Sequence, residues 1–260
     1  MTTFTGKTAL ITGASSGIGK SFARILASQK TNLVLVARRE DRLQTIADQL
    51  IEEFGIEAHV IAQDLAAPKA AETLYKRTHD LGLSIDILLN NAGLGHHGMF
   101  LDTDAEGHEN TLQVNINALT QLTHLFGQDM KQRGEGYILL VASIASFMPI
   151  PQFSTYAASK AYVLSFGQSI AKELKKHNIK VSVTCPGGTA TEFMDMSGQN
   201  ITGWRTRAIM SSDDVAQSGL NALERGKVVN VPGALYKFSA ASVRFLPKKL
   251  QLIVGEMATK

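Results

Sequence analysis

The sequence predicts an α/β fold in which a doubly wound parallel sheet is covered by helices on both faces. Short apolar runs alternate with longer amphipathic segments along most of the 260 residues. Several of these runs are apolar at nearly every position, as strands are when helices bury both faces of a parallel sheet. A glycine-rich turn joins the first run to the first amphipathic segment, which indicates a strand, turn and helix unit.

The first half of the chain supplies four predicted strands, at residues 8–12, 32–37, 57–62 and 85–89. Apolar side chains at helical spacing predict a helix after each of the first two strands, marked by Ile18, Phe22, Ile25 and Leu26 and then by Leu43, Ile46, Ala47, Leu50 and Phe54. A third helix is predicted from about Pro68 to His79, with Pro68 in its first turn, where the missing N–H is tolerated.

The second half continues the alternation. Two more helices are marked by Leu112, Ile116, Leu119 and Phe126 and by Val163, Phe166, Ile170 and Leu174. Strands are predicted at 137–142 and 179–184, and Val228 with Val229 predicts a seventh. No internal repeat or long linker divides the chain, so residues 1–260 are expected to form a single domain.

Composition and charge exclude several classes of function. The chain has 26 Lys and Arg against 23 Asp and Glu and no dense basic run, so a nucleic-acid partner is not expected. The single cysteine, Cys185, cannot form an internal disulfide, which fits a reducing compartment. The N-terminus lacks a secretory signal, and prolines interrupt the uncharged stretch at 137–159. We therefore expect a cytoplasmic protein.

Residues 12–19 read T-G-A-S-S-G-I-G and lie between the first strand and the first helix. The three glycines allow a tight turn, close approach of a pyrophosphate and close packing of helix on sheet, and the helix N-terminus favours an anion. The spacing differs from the general dinucleotide fingerprint, so the prediction depends on the strand–turn–helix context. The cofactor contacts predicted from this turn are Gly13, Ser15, Ser16, Gly17, Ile18 and Gly19.

This turn has two other interpretations. G-x-S-x-G also matches the nucleophile elbow of serine hydrolases, but only twelve residues precede Gly13, which leaves no place for the oxyanion loop. In the other interpretation, the glycines serve only a structural turn.

The end of the second strand predicts which nicotinamide cofactor would bind. NAD specificity normally comes from an acidic side chain that receives the ribose hydroxyls, but here the sequence is V-A-R-R-E at 36–40. Ala37 cannot make that contact, whereas Arg38 can grip a 2′-phosphate in bidentate fashion. NADP(H) is therefore favoured over NAD(H).

A tyrosine and a lysine suggest acid–base chemistry. Tyr156 and Lys160 are four residues apart on one predicted helix face, and an ammonium beside a phenol is expected to lower the pKa of that phenol. Ser143 follows the fifth strand at the sheet edge where ligands bind, and can donate a hydrogen bond to a substrate oxygen. Asn115 stands where an apolar helix residue is expected, which suggests a buried polar role.

Taken together, these motifs resemble the short-chain dehydrogenase/reductases over nearly the whole chain. The matching segments are T-G-A-S-S-G-I-G at 12–19, N-N-A-G at 90–93, Asn115, Ser143, Y-A-A-S-K at 156–160 and P-G-G-T-A-T at 186–191. The resemblance implies a single Rossmann-type domain, three layers deep, with a seven-stranded parallel sheet. Within that family the chain looks similar to uncharacterised bacterial oxidoreductases and to membrane-bound long-chain 3-oxoacyl-CoA and 17β-hydroxysteroid enzymes.

The resemblance also implies roles for individual residues. Tyr156 would pass the proton, Lys160 would lower its pKa and bind the nicotinamide ribose, Ser143 would orient the carbonyl, and Asn115 would hold a water linked to Lys160. Substrate would contact Ser143 and Tyr156. The cofactor contacts that it implies beyond the glycine turn are Asp64, Leu65, Asn91, Ala92, Gly93, Pro186, Gly187, Thr189 and Thr191.

Two segments extend the predicted catalytic body. Residues 187–212 mix small polar and large apolar residues beyond a strand end, which predicts a substrate loop or lid. The C-terminal extension at 231–260 is apolar and basic, and we expect it to pack on the body or a second subunit rather than on a membrane. The adjacent His96 and His97 lack metal-site geometry, and Cys185 is expected to be a packed small residue.

The leading hypothesis is an NADP-dependent oxidoreductase that exchanges a hydride between the nicotinamide and a carbonyl or secondary alcohol carbon. The substrate would be a small molecule, with an apolar one suggested by the resemblance, and a homo-oligomer, dimer or tetramer, is the family's habit. The alternative is a sensor or scaffold that binds NADP(H) without turnover, because fold does not imply function.

Overall fold

A computed structural model describes residues 3–197 and 209–257 of the chain. Seven parallel strands form one sheet in the order β3-β2-β1-β4-β5-β6-β7. The strands are β1 Thr8–Thr12, β2 Asn32–Ala37, β3 Ala58–Ala62, β4 Ile87–Asn90, β5 Gly136–Val141, β6 Ile179–Thr184 and β7 Val229–Asn230. This architecture confirms the predicted doubly wound α/β fold of the Rossmann type.

Helices connect the strands and follow the last one. In the described part of the chain the α-helices are α1 Gly17–Ser28, α2 Glu40–Phe54, α3 Ala70–Asp80, α4 Ala105–Leu112, α5 Leu119–Arg133, α6 Ser154–Leu174, α7 Glu192–Ser197, α8 Ser212–Glu224, α9 Ala234–Val243 and α10 Lys248–Met257. A π-helical segment, Gln113–Ala118, joins α4 to α5, and short 3₁₀ helices span Ile144–Phe147 and Lys175–His177.

The predicted strand positions differ from the observed ones by at most two residues at either end. The start of the third helix was placed wrongly: Lys69 adopts a left-handed conformation with φ of 55°, so α3 begins only at Ala70 and Pro68 lies before the helix. The helix predicted around Leu112 and Phe126 contains a π-helical insertion, which apolar spacing alone does not reveal.

Two hydrophobic cores lie on opposite faces of the sheet. Successive strand residues alternate between them, so Leu10 packs in one core and Ile11 in the other. One core contains side chains of α3, α5 and α6, while the other contains side chains of α1, α2 and α8, such as Phe22 and Leu220. Burial of both sheet faces explains why most strand residues are apolar.

The order of the strands determines where a ligand can bind. The chain starts at β1, moves outward to β2 and β3, and then returns to β4 on the other side of β1. The loops after β1 and β4 therefore diverge and leave a crevice at the carboxyl edge of the sheet. Among the described residues, no helix combines the length and apolar character needed to cross a bilayer.

Candidate active site

A cavity of about 920 Å³ occupies this crevice. Its walls come from the glycine turn, the ends of β2, β4 and β5, α6, the segment after β6 and the two C-terminal helices. Every residue that the sequence assigns to the cofactor or to catalysis lines the cavity, except Gly19 and Asn115. The structure therefore brings together motifs that are far apart along the chain.

The glycine turn forms a close-fitting cradle at one end of the cavity. Gly13 and Gly17 have φ values of +67° and +52°, which side chains rarely adopt, and a Cβ on Gly17 would lie 2.8 Å from the Thr191 side chain. Asn91 fixes the turn by donating to the Thr12 carbonyl oxygen at 2.9 Å. The exposed backbone and the N-terminus of α1 fit the pyrophosphate of a dinucleotide.

Gly19 provides the close packing of the helix that the motif predicts, and is not among the residues that line the cavity. A Cβ at this position would overlap the Gly13 carbonyl oxygen and lie 2.6 Å from Asn91 Nδ2. Gly19 therefore allows α1 to pack beneath the turn, and does not itself line the cavity.

Two arginines stand at the adenosine end of the cavity. Arg38 lines the cavity there and is exposed, and Arg39 lines the same wall. Arg39 Nη2 donates to the hydroxyl oxygens of Ser15 at 3.2 Å and Ser16 at 3.3 Å, while Nη1 donates to Glu192 Oε2 at 2.9 Å. Sequence reasoning missed Arg39, because two adjacent arginines after a strand do not reveal which of them faces the turn.

Ser143, Tyr156 and Lys160 meet at the other end of the cavity. Ser143 caps the 3₁₀ helix Ile144–Phe147, accepting a hydrogen bond from the Ala145 amide at 3.1 Å, and its hydroxyl also hydrogen-bonds the Tyr156 phenol. Lys160 lies one helical turn beyond Tyr156, with Nζ 5.7 Å from the tyrosine ring centre. A substrate oxygen placed between Ser143 and Tyr156 could receive hydrogen bonds from both.

The protonation states of this group differ from the simple expectation. Burial raises the pKa of Tyr156 to about 12, although the hydrogen bond with Ser143 partly offsets this effect. Burial also lowers the pKa of Lys160 to about 8. The tyrosine pKa is therefore raised and not lowered as expected, because desolvation is the dominant effect and Lys160 Nζ donates to the Val141 carbonyl at 2.9 Å.

Because Lys160 is buried, we expect it to make the free energy of unfolding depend on pH. Between pH 8 and 10.5 the unfolded chain binds the Lys160 proton while the folded chain does not, so this residue makes stability rise with pH. Below pH 8 the buried charge is destabilising, and Lys160→Met should be more stable than the wild type. Urea unfolding should show this advantage shrinking by about 2–3 kcal/mol from pH 7.5 to 10. An advantage independent of pH would contradict the lysine assignment.

Asn115 lies behind the cavity within the π-helical segment. Its side chain is fully buried, accepts from the Leu94 amide at 2.9 Å, and donates to the Leu94 carbonyl at 2.8 Å and to Ser159 Oγ at 2.9 Å. The π-turn shifts the helix register and so directs a polar side chain toward the loop after β4. The predicted buried polar role is thus present, while a water held beside Lys160 stays a prediction.

The remaining wall around Tyr156 is aromatic and aliphatic. Phe153 stacks on the tyrosine ring with centroids 4.3 Å apart, and Phe193 lies 5.4 Å from it. Helices α9 and α10 close the outer side, which motif reasoning did not foresee. The apolar lining of this end comprises Ile144, Ala145, Met148, Ile150, Phe153, Phe193, Leu235, Val243, Val254 and Met257.

The two predicted extensions both reach the cavity. Residues 187–189, 191 and 193 of the predicted substrate loop line it, whereas residues 198–208 lie outside the described part of the chain. In the C-terminal extension, the Tyr236 hydroxyl accepts a hydrogen bond from the Gly188 amide at 3.0 Å, so α9 holds the loop after β6. A side chain at Gly187 would overlap the Tyr236 ring.

The adjacent histidines and the cysteine have contacts of their own. No metal-binding group of three or more ligands occurs in residues 3–197 and 209–257. The His97 amide instead donates to the Ser197 carbonyl at 2.8 Å, which ties the loop after β4 to α7. Cys185 is fully buried, and burial raises the pKa of its thiol to about 12, so it is a packed residue and not a nucleophile.

Known proteins are similar to this chain in both sequence and fold. A family model described as short chain dehydrogenase matches residues 7–201. A very-long-chain 3-oxoacyl-CoA reductase from Pyrenophora tritici-repentis is 35% identical over 187 residues, which cover 70% of this chain and 55% of that protein.

Two solved structures extend the likeness to nearly the whole chain. A short-chain dehydrogenase from Sphingobium yanoikuyae in complex with NADPH is 33% identical, with a TM-score of 0.83 over 91% of this chain and 92% of that one. A bulky-bulky ketone specific alcohol dehydrogenase from Comamonas testosteroni is 31% identical, with a TM-score of 0.78 over 92% of each chain.

Proposed function

The chain belongs to the short-chain dehydrogenase family, and from this premise we propose that it exchanges a hydride between NADP(H) and the carbon of a carbonyl or secondary alcohol. One observation carries the proposal: a single cavity joins the glycine turn to Ser143, Tyr156 and Lys160. A dinucleotide bound along that cavity would bring its reactive ring to the end that holds these three side chains.

The described residues fit a nicotinamide dinucleotide along the whole cleft. The glycine turn and the start of α1 would hold the pyrophosphate, Asp64 and Leu65 would border the adenine, and the segments 91–93 and 186–191 would enclose the nicotinamide end. When bound, the cofactor supplies or accepts the hydride. The protein contributes orientation, a largely apolar surrounding and a proton.

Tyr156 is the proton donor for reduction in the proposed mechanism. With a pKa of about 12 the phenol is protonated at neutral pH, so it can donate to a carbonyl oxygen as the carbon is reduced. Ser143 would orient that oxygen, and Lys160 would bind the ribose and stabilise the phenolate left behind. In the reverse direction the phenolate would act as the base.

The choice of NADP(H) rests on Arg38 and Arg39. No acidic side chain ends β2, both arginines line the cavity, and the guanidinium of Arg39 lies beside the hydroxyls of Ser15 and Ser16, an arrangement that suits a phosphate. The NADPH complex of the Sphingobium relative supports this choice.

Removing both arginines should separate the two cofactors. Arg38→Ala/Arg39→Ala is expected to weaken NADPH binding about 10–100-fold, because charge-assisted hydrogen bonds to the 2′-phosphate are lost. NADH binding should change less than about threefold, since NADH lacks that phosphate. Arg24→Ala is the matched control, because Arg24 pairs with Glu53 away from the cleft. Equal losses for NADPH and NADH would contradict the assignment.

An apolar carbonyl compound is the proposed substrate class. The wall around Tyr156 is formed by apolar residues of four elements, and among the described residues that line this end of the cavity Lys160 alone is charged. The names of the Comamonas and Pyrenophora relatives, which act on bulky ketones and long-chain acyl thioesters, agree with such a pocket. Residues 187–212 would form the loop that covers the substrate.

The proposed function is tested by binding and turnover measured on one preparation. The purified protein is titrated with NADPH and NADH, and NADPH oxidation is then followed with aldehydes, ketones, 3-oxoacyl thioesters and steroids. Tighter NADPH binding with turnover of an apolar carbonyl compound is expected. Binding without turnover of any compound would favour the sensor or scaffold, and tighter NADH binding would contradict the cofactor choice.

The chain is also proposed to act as a homo-oligomer, a dimer or tetramer, in the cytoplasm. Light scattering of the purified protein tests the subunit number, and a monomer at micromolar concentration would contradict it.

A further inference from the structure

Glu192 occupies an unexpected place at the adenosine end of the cleft. It is the first residue of α7, in the predicted substrate loop, yet its carboxylate reaches two arginines of the opposite wall. Oε2 accepts from Arg39 Nη1 at 2.9 Å, and Oε1 accepts from Arg42 Nη1 at 2.7 Å. These hydrogen bonds, with Arg39 first, lower the pKa of Glu192 and keep it ionised at neutral pH.

The neighbours of Glu192 touch the two ends of the same cleft. The Thr191 side chain lies against Gly17, where a Cβ would meet it at 2.8 Å. Phe193, on the other side, packs 5.4 Å from the ring of Tyr156. Residues 191–193 therefore contact, in order, the glycine turn, the arginines Arg39 and Arg42, and Tyr156. A change at Glu192 can thus affect both the cofactor and the substrate loop.

The carboxylate lies among the groups that would receive a 2′-phosphate. Arg39 hydrogen-bonds Ser15 and Ser16 with Nη2 and Glu192 with Nη1. The two terminal nitrogens therefore cannot both donate to a phosphate while Glu192 is bound to Nη1. A phosphate adds nearly two negative charges beside the one on Glu192. The two anions would compete for the same guanidinium, whereas a cofactor with a free 2′-hydroxyl would face no such competition.

We propose that Glu192 is a specificity-determining residue that competes with the cofactor's 2′-phosphate for Arg39 and so limits the preference for NADP(H) over NAD(H). This inference rests on the proposed nicotinamide-cofactor function. Binding of the phosphate displaces the carboxylate from Arg39 and leaves it on Arg42. The segment 191–193 thereby responds to the phosphorylated cofactor and not to the unphosphorylated one.

The test compares Glu192→Gln with the wild type by calorimetric titration at low ionic strength. NADPH and NADH are the cofactor pair, and 2′,5′-ADP and 5′-AMP isolate the 2′-phosphate from the nicotinamide. Glu192→Gln should bind NADPH and 2′,5′-ADP about three- to tenfold more tightly, as expected for a partly exposed charge a few ångströms from a phosphate. Its affinity for NADH and 5′-AMP should stay within about twofold.

Glu53→Gln is the matched control. Like Glu192, Glu53 accepts two arginine hydrogen bonds, here both from Arg24, at 2.6 and 2.8 Å. Its side chain is 46% exposed against 42% for Glu192, but it lies outside the cleft. This control should change none of the four affinities. A general loss of surface negative charge would instead shift both variants equally, and that result would overturn the inference.

The outcomes separate this inference from the proposed function. Unchanged or weaker binding of 2′,5′-ADP by Glu192→Gln, or equal tightening of 2′,5′-ADP and 5′-AMP, overturns the role of Glu192 even if the wild type prefers NADPH. If the wild type prefers NADH, the cofactor proposal fails. In that case a selective gain for 2′,5′-ADP in Glu192→Gln still supports competition at Arg39, and no selective gain overturns it.

Discussion

Tyr156→Phe is expected to lower kcat for ketone reduction by about 10³-fold or more, while the Kd for NADPH changes less than about threefold. The variant loses the phenolic proton donor that hydrogen-bonds Ser143, while the hydroxyl of Tyr236, another tyrosine in the cavity wall, accepts from the Gly188 amide. The aromatic ring remains, so its stacking on Phe153 at 4.3 Å and its contact with Phe193 persist. Steady-state kinetics and a fluorescence titration with NADPH measure the two effects separately.

A second tyrosine on the same helix provides the control. Tyr162 lies six residues beyond Tyr156 and hydrogen-bonds Thr120 at 3.0 Å, outside the cavity. Tyr162→Phe should therefore keep kcat within about twofold of the wild type, as surface substitutions usually do. If Tyr156→Phe kept more than about a tenth of the activity, Tyr156 would not be the proton donor. Parallel loss of activity and NADPH binding would indicate a structural role.

Gly19→Ala is expected to abolish measurable NADPH binding and to destabilise the fold by about 2–4 kcal/mol. The added methyl group would overlap the carbonyl of Gly13, in the turn that cradles the pyrophosphate, and would lie 2.6 Å from Asn91 Nδ2, which holds that turn by donating to Thr12. Neither atom can move without opening the turn. NADPH titration and urea unfolding measure the two losses.

Gly127→Ala is the matched control for this substitution. Gly127 lies in α5, and a Cβ there would meet nothing within 4 Å. Because alanine also restricts the unfolded chain, this control should be neutral or stabilising by up to about 1 kcal/mol, with NADPH binding unchanged. Normal cofactor binding by Gly19→Ala would show that the turn does not hold the pyrophosphate.

Much of the fold could be predicted because the strands carry a strong local signal. Runs such as residues 32–37 and 136–141 are apolar on both faces, as expected for strands of a parallel sheet that is buried on two sides. Boundaries that depend on one backbone conformation were not predictable. The left-handed Lys69 and the π-helical turn around Asn115 have no periodicity that would reveal them.

The parts of the site that short motifs encode were predictable. The glycine spacing indicates dinucleotide binding, the Tyr156 and Lys160 pair indicates acid–base chemistry, and the strand ends bring both to one cavity. Other features of the site depend on tertiary contacts. Desolvation reverses the expected shift of the tyrosine pKa, and helix α9 anchors the segment after β6 through Tyr236. Such effects come from residues distant in the sequence, for which spacing carries no information.

Direct transfer of a hydride is the central claim, and deuterium labelling tests it most directly. The protein is incubated with NADPH carrying deuterium on one face of C4 of the nicotinamide ring and, in parallel, on the other face, together with a panel of apolar ketones. We expect deuterium at the carbinol carbon of the product from only one of the two labelled cofactors, and none with Tyr156→Phe. NADPH that binds tightly while no ketone acquires deuterium would contradict the oxidoreductase and leave a cofactor-binding sensor.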